Sequence, residues 1–138
     1  MSLCFYIPKK DGSLQLVQDY RKLNQVTIKD KTPLLLIGEV IDKLKEAKYF
    51  NKFDLIWRYN NIQIKEGDEW KVAFLTNKGL FEPQVMYFRL YNSLGTFQRM
   101  MNSIFRELLH KGVLANYMNN FIIPAKTMKE LEEQMIKM

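Results

Sequence analysis

The sequence has very few cysteine and histidine residues. Cys4 is its only cysteine, so an internal disulfide is excluded and a reducing compartment is favoured. His110 is its only histidine, at the end of a predicted helix, where a surface position or an interaction with the helix dipole is typical. Zinc-ligand spacing, a nucleophile elbow and a phosphate-binding loop are all missing. The sequence therefore gives no support to these three kinds of chemistry.

Long apolar runs are also missing, and none approaches the roughly 20 residues of a membrane span. The N-terminal segment lacks the ordered basic, apolar and small-residue regions of a signal peptide. We therefore expect an intracellular protein of the cytoplasm or nucleus, neither secreted nor bound to a membrane. Hydrophobic residues make up 47% of the 138 residues, enough for the core of a single domain. The net charge of +6 permits binding to nucleic acid without demonstrating it.

Strands and helices are predicted to mix without strict alternation, which favours the α+β class. Apolar patterning predicts strands over residues 3–7, 14–17 and 49–55, with shorter candidates at 62–64 and 72–74. Helical spacing predicts helices over 37–47 and 96–109, and one helical turn at 20–23. A capping box at Thr127 and Glu130 predicts a final helix.

The segment Tyr117-Met118-Asn119-Asn120 lies between two apolar runs, residues 113–115 and 121–123. Two short apolar strands joined by small polar residues are typical of a β-hairpin, and we expect its tip at Asn119 and Asn120. Asparagine tolerates the positive φ of such turns, so a plain turn explains both residues without any chemistry.

A series of segments stands in the order found in one family. The series is Lys9-Lys10-Asp11-Gly12-Ser13-Leu14, Asp19-Tyr20-Arg21-Lys22-Leu23-Asn24, Ala47-Lys48-Tyr49-Phe50, Phe53-Asp54-Leu55, Tyr59-Asn60, Ile64-Lys65-Glu66-Gly67-Asp68-Glu69-Trp70-Lys71, Thr96-Phe97-Gln98-Arg99 and the hairpin. With the hairpin in place of Tyr-X-Asp-Asp, this series resembles the reverse transcriptase of gypsy-type LTR retrotransposons along nearly the whole chain. The resemblance implies the fingers and palm of a right-hand polymerase with an antiparallel palm sheet.

The same resemblance implies one partial domain. Residues 1–35 would belong to the fingers, residues 36–138 to fingers and palm, and the thumb, connection and RNase H regions would be absent. We therefore expect a fragment of the family's polyprotein.

In the family, three aspartates hold two magnesium ions. The resemblance places Asp54 at the first position, as a retained catalytic residue and metal ligand, and Asn119 and Asn120 at the other two. An amide oxygen carries no formal charge, so the protein charge at the site falls from minus three to minus one. Magnesium prefers hard, charged oxygen ligands, and we expect poor metal binding and little or no polymerisation. Asp54 is equally well explained as a solvated carboxylate at a strand end.

The nucleotide pocket implied by the resemblance also departs from the family pattern. Tyr59 matches the aromatic residue that packs beneath the incoming sugar, but Trp57 and Arg58 replace small residues and are expected to crowd a nucleotide. Gln15 replaces an arginine that contacts the triphosphate, whereas Lys9 and Lys10 remain candidate phosphate contacts.

Two further positions near the pocket differ from the family. Arg89 replaces a glycine that lets the backbone approach the nucleotide closely, and we expect arginine to block this approach. Leu94 replaces a proline. Together with the two asparagines, these changes indicate lost constraint on the ancestral site.

Three hypotheses follow from the sequence. The first is a retrotransposon-derived reverse transcriptase domain that is catalytically inactive, and the second is a polymerase with residual activity. The third is a module that keeps the palm fold and binds protein or nucleic acid, including an RNA or DNA template-primer.

Basic residues would supply phosphate contacts for a nucleic-acid partner, or they are simply solvated. They cluster at Lys9-Lys10, Arg21-Lys22, Lys29-Lys31 and Lys43-Lys45-Lys48.

Overall fold

A computed structural model describes residues 1–33, 37–56, 58–118 and 120–137. The chain forms two compact units, each built from two stretches of sequence. The first unit comprises Met1–Asp30 and Tyr59–Leu94, and the second comprises Lys31–Arg58 and Gly95–Met138. Within the described ranges, no helix is long and apolar enough to cross a membrane.

Seven strands and five α-helices are described, together with two short 3₁₀ turns at Arg58–Asn61 and Glu69–Val72. In chain order they are β1 (Ser2–Pro8), β2 (Leu14–Gln18), α1 (Arg21–Val26), α2 (Ile37–Leu44), β3 (Tyr49–Asp54), β4 (Phe74–Thr76), β5 (Gly79–Phe81), α3 (Ser93–Ile104), α4 (Arg106–His110), β6 (Ala115–Tyr117), β7 (Asn120–Ala125) and α5 (Met128–Ile136).

The first unit contains a four-stranded sheet in the order β2-β1-β4-β5. β1 and β2 form the predicted antiparallel hairpin, and β1 pairs with β4 in parallel. The turn between β1 and β2 depends on Gly12, whose φ is +82°, and on Asp11, whose carboxylate accepts a hydrogen bond from the Ser13 backbone N–H at 3.0 Å. An Asp-Gly pair between two apolar strands thus fixes the register of this hairpin.

Several predicted elements of the first unit differ from the structure. Residues 62–64 follow the 3₁₀ turn that ends at Asn61 and contain one isolated bridge, Gln63 to Val85, instead of a strand. The strand predicted at 72–74 begins only at Phe74, after a 3₁₀ turn. β5 was not predicted, because three residues are too few to show an alternating pattern. The single helical turn expected at 20–23 is the longer helix α1.

The second unit contains an antiparallel sheet in the order β3-β7-β6. β7 buries alternate residues, Phe121, Ile123 and Ala125, on one face. Helices cover this face, since the ring of Phe105, between α3 and α4, lies 5.1 Å from the ring of Phe121. Asn120 and Ile122 alternate with the buried residues and lie on the opposite face.

The helices of the second unit follow the predictions with shifted ends. The helix predicted over 96–109 begins earlier, at Ser93, and is divided at Phe105 into α3 and α4. α2 begins at the predicted residue and ends at Leu44. The capping box is confirmed, because the Glu130 backbone N–H donates to the hydroxyl of Thr127 at 3.2 Å. The Glu130 carboxylate accepts from the backbone N–H of Lys126, one residue before the cap, at 2.8 Å.

The predicted hairpin forms, but its turn is placed differently. Asn120 is the first residue of β7 and pairs with Tyr117, so it is a strand residue and not part of the tip. Met118, between them, has a φ of +57°. The expectation that Asn120 occupies the tip is therefore wrong, and Asn119 lies outside the described residues.

Candidate functional site: the strand ends at Asp54 and Asn120

The centre of the candidate site is the pair formed by the last residue of β3 and the first residue of β7. Asp54 lies directly opposite Asn120 in this antiparallel register, and Tyr117 lies opposite Asn120 on its other side. Residues that are directly opposite each other project from the same face of a sheet. The structure therefore brings together the retained aspartate and one of the two asparagines that the sequence analysis assigned to the site.

The carboxylate of Asp54 has a cationic neighbour that the sequence analysis did not assign to it. Nη2 of Arg58 lies 3.4 Å from Oδ2 of Asp54, and the two side chains are 42% and 55% exposed. Arg58 follows Asp54 by four residues in the chain and begins the 3₁₀ turn after β3. The crowding of a nucleotide by Arg58 stays a prediction, and Trp57 lies outside the described residues.

These donors do not fit a pair of magnesium ions. The site supplies one carboxylate that is shared with a guanidinium and the neutral amide of Asn120, whereas magnesium is held by charged oxygen ligands. The sequence adds a second amide at Asn119. Within the part of the chain that the structure describes, no group of three or more histidine, cysteine or acidic residues could hold a metal ion.

The residues predicted to bind a nucleotide lie in the first unit, on different elements. Lys9 and Lys10 are exposed in the turn between β1 and β2, and Gln15 in β2 lies opposite Ile7. Tyr59 is half-buried in the 3₁₀ turn at Arg58–Asn61. Leu94, the other altered position, is in the first turn of α3.

Arg89 lies in a cavity of about 550 Å³ within the first unit. Its guanidinium lies 5.4 Å from the centre of the Phe88 ring, and its backbone oxygen accepts a hydrogen bond from Nδ2 of Asn24 at 2.9 Å. Oδ1 of Asn24 accepts in turn from the Tyr91 backbone N–H at 2.8 Å, so one side chain fixes this loop at two points. Lys9, Lys10, Gln15 and Tyr59 do not line the cavity.

The other residues of this cavity were not predicted to belong to a site. Asp19 and Arg21 form an ion pair at 2.7 Å, and the hydrogen bond from Arg21 lowers the pKa of Asp19 to about 2. Burial raises the pKa of Tyr20, whose hydroxyl donates to the Val72 carbonyl at 2.8 Å. Gln18 is fully buried, and neither polar atom of its amide has a hydrogen-bond partner among the described residues. The only sequence feature that pointed to these residues was the segment 19–24, which contributes to the resemblance.

Comparisons with known proteins identify the family of this chain. Residues 7–138 match the family described as "Reverse transcriptase (RNA-dependent DNA polymerase)". The chain is 40% identical over 129 residues to the "Retrovirus-related Pol polyprotein from transposon 297" of Drosophila melanogaster, covering 90% of the chain and 12% of that protein. It is 39% identical over 111 residues to the "RNA-directed DNA polymerase homolog" of Oenothera berteroana, covering 80% of the chain and 78% of that protein.

Solved structures show the same fold. The foamy viral protease-reverse transcriptase dRH in complex with double-stranded DNA aligns with 99% of this chain and 24% of its own, with a TM-score of 0.87 and 19% sequence identity. The foamy viral enzyme in complex with an RNA/DNA hybrid aligns with a TM-score of 0.86 and 18% identity, over 99% of this chain and 18% of its own. The expected α+β polymerase fold is confirmed.

The chain belongs to the reverse transcriptase family. It is a retrotransposon-related domain that spans only a small part, 12%, of the transposon 297 polyprotein to which it is similar. The expectation of a reverse transcriptase domain is confirmed, while its placement in the gypsy-type subgroup stays a prediction.

Proposed function

We propose that this chain is a retrotransposon-derived reverse transcriptase domain that does not catalyse RNA-directed DNA polymerisation. The contact between Arg58 and Asp54, at 3.4 Å, carries this proposal. Two-metal phosphoryl transfer requires concentrated negative charge to hold both ions against their mutual repulsion. Here the single carboxylate is compensated by a guanidinium, and its partner across the strands, Asn120, is neutral.

A primer-extension assay tests the proposal. The purified chain is incubated with an annealed RNA template and DNA primer, deoxynucleotides, and magnesium or manganese. We expect no incorporation above a no-protein control in either metal. Extension that is present in the wild-type chain and lost in Asp54→Ala would contradict the proposal and favour the residually active polymerase. Asp42→Ala, which removes an exposed carboxylate of α2, is the matched control.

The second candidate function is binding of a template-primer without catalysis. Its support is the net charge of +6 and the exposed pair Lys9 and Lys10 at a hairpin turn, where flexible cations can contact phosphates without base specificity. Similar proteins, the foamy viral enzymes, are described in complex with an RNA/DNA hybrid and with double-stranded DNA. We propose weak, salt-sensitive binding of the same kind of ligand by this chain.

Fluorescence anisotropy with a labelled RNA–DNA hybrid distinguishes this binding from an inert domain. We expect log K to fall linearly with log salt, and a shallower slope in Lys9→Gln/Lys10→Gln, because fewer counterions are released. Lys78→Gln, in the exposed turn between β4 and β5, should change the slope less. A flat salt response, or no binding at low salt, would contradict this function.

The remaining expectations stay proposals. We propose that residues 1–35 contribute to the fingers and residues 36–138 to fingers and palm. We also propose an intracellular location, which agrees with a single free cysteine, Cys4.

A further inference from the structure

A second charged site lies in the second unit, formed by α2, α3 and α4. Lys43, Asn102, Arg106, Leu109 and His110 line a cavity of about 300 Å³. Three of these five residues carry or can acquire positive charge, and no acidic residue lines the cavity. Donors that converge without a carboxylate between them form a site for an anion.

Helix geometry explains why these side chains converge. Asn102, Arg106 and His110 follow each other at intervals of four residues, which places them on one helix face. The division between α3 and α4 does not break this stripe, because the Phe105 N–H still donates to the Met101 carbonyl at 2.9 Å and the Leu109 N–H donates to the Phe105 carbonyl at 2.9 Å. Lys43 joins them from the last turn of α2.

Neighbouring cations of the same unit have carboxylate partners that the cations of this cavity do not have within the described residues. Lys45 pairs with Asp42 at 2.5 Å and Lys126 pairs with Glu46 at 2.8 Å, so one carboxylate of α2 and one just after it have other partners. A third carboxylate, Glu39, lies one turn before Lys43 in α2. Glu107, beside Arg106, lies 4.0 Å from Lys111. Within the described ranges, no ion pair joins Lys43, Arg106 or His110 to a carboxylate.

The polar neutral residue of the cavity is also arranged as a donor. The Oδ1 atom of Asn102 accepts a hydrogen bond from Nε2 of Gln98 at 2.9 Å. This leaves the Nδ2 group of Asn102, which can only donate, for a ligand. The set of lysine, arginine, histidine and amide donors matches phosphate oxygens, which accept several hydrogen bonds at once.

The cavity is separate from the strand ends at Asp54 and Asn120. The helices that form it cover the face of the sheet on which Phe121 is buried, through the contact between Phe105 and Phe121. Asn120 precedes Phe121 in β7, so its side chain and that of Asp54 project from the opposite face. The cavity therefore lies on the other side of this sheet from Asp54 and Asn120.

We propose that this cavity binds a small anion carrying two or more phosphate groups. A volume of about 300 Å³ exceeds that of a single phosphate and lies at the lower end of small-molecule sites. Such a group is found in free oligophosphates and in nucleoside diphosphates or triphosphates.

Isothermal titration of the wild-type chain with inorganic pyrophosphate at low ionic strength tests the proposal. We expect one ion bound per chain, with affinity reduced roughly tenfold in Arg106→Gln and in Lys43→Gln, since each removes a charged donor. Lys45→Gln removes the same charge two residues after Lys43, just past the end of α2 and outside the cavity, and should change affinity less than twofold. Because the two test variants alter different helices, a folding defect in one leaves the other as the test.

Three results would contradict the proposal that this cavity binds such an anion. They are absence of pyrophosphate binding, an equal loss in Lys45→Gln, and displacement of pyrophosphate by a single-stranded oligonucleotide that lacks terminal phosphates. The last result would assign the cavity to a nucleic-acid backbone. Titration with ATP distinguishes the two sources of the group, since a nucleotide site should bind ATP more tightly than pyrophosphate, and a free-oligophosphate site should not. Asp54→Ala should leave pyrophosphate binding unchanged.

Discussion

Asp54 and Asn120 lie directly opposite each other at the ends of β3 and β7, and the guanidinium of Arg58 lies 3.4 Å from the Asp54 carboxylate. The strand pairing that would assemble a metal site is therefore intact, while its charge is not. Backbone register is set by hydrophobic pairing along the strands, such as Phe53 opposite Phe121, and does not depend on the side chains at the strand ends. The same register is therefore expected with either asparagine or aspartate at position 120.

Restoring the two aspartates should not restore polymerisation. We expect Asn119→Asp/Asn120→Asp to remain inactive in primer extension, because Arg58 still compensates Asp54 and Arg89 still replaces the glycine of the family. Adding Arg58→Gln should tighten manganese binding about fivefold relative to that double variant, as expected for removal of an exposed ion pair. Lys52 is an exposed residue two positions before Asp54 on β3, and Lys52→Gln serves as the control for losing one positive charge near the site. Full activity of the double variant would show that only the carboxylates were missing.

Replacing Asn116 with valine should stabilise the fold. Asn116 in β6 is fully buried opposite Phe121, and within the part of the chain that the structure describes neither polar atom of its side chain has a hydrogen-bond partner. An unpaired buried amide costs about 1–3 kcal/mol, which Asn116→Val would recover. Urea denaturation measures the change in the free energy of unfolding. Lys52→Val, at an exposed strand position, should change it by less than about 0.5 kcal/mol. Destabilisation by Asn116→Val would mean that the amide has a partner in solution.

Asp19 should titrate at unusually low pH. Hydrogen bonds from Arg21 lower the pKa of Asp19 from 3.8 to about 2. Since the folded-state pKa is lowered, this carboxylate contributes stability above about pH 4, and the contribution is lost as pH falls towards 2. Carbon-detected NMR should place the Asp19 midpoint near 2 and move it towards 3.8 in Arg21→Gln. An Asp19 midpoint that is the same in both proteins would show that the ion pair does not persist in solution.

The N-cap of α5 should contribute measurably to stability. The Thr127 hydroxyl accepts from the Glu130 backbone N–H, so Thr127→Ala should lower the free energy of unfolding by about 1 kcal/mol. Thr127→Ser keeps the acceptor and should retain most of this stability. Thermal or urea denaturation measures the stability of the two Thr127 variants, and Lys129→Ala is the control on the same helix. Equal losses from alanine and serine would contradict the assignment of the cap.

Local patterns predicted much of the fold. The Asp11-Gly12 turn, the capping box at Thr127 and the end of β3 at Asp54 each depend on neighbours within a few residues, and all three are confirmed. β5 was missed because it is short, and its pairing with β4 depends on residues that give no periodic signal. The place of Asn120 was missed because the hairpin turn includes Met118 at positive φ, which residue preference does not favour.

The candidate site was predicted only in part. Sequence placed Asp54 and Asn120 together through the resemblance, and the strand register supports this placement. It gave no indication that Arg58 contacts Asp54, since that contact depends on the path of the turn after β3. The burial of the Gln18 and Asn116 amides could not be predicted from the sequence either. Burial is set by tertiary packing, and glutamine and asparagine are usually exposed.

Electron paramagnetic resonance of manganese tests the central claim most directly, because the signal reports free and bound metal without requiring catalysis. The wild-type chain and Asp54→Ala are titrated with manganese, and the bound fraction is compared. We predict identical curves, with no pair of ions bound at Asp54. Two manganese ions bound per wild-type chain and lost in Asp54→Ala would contradict the account.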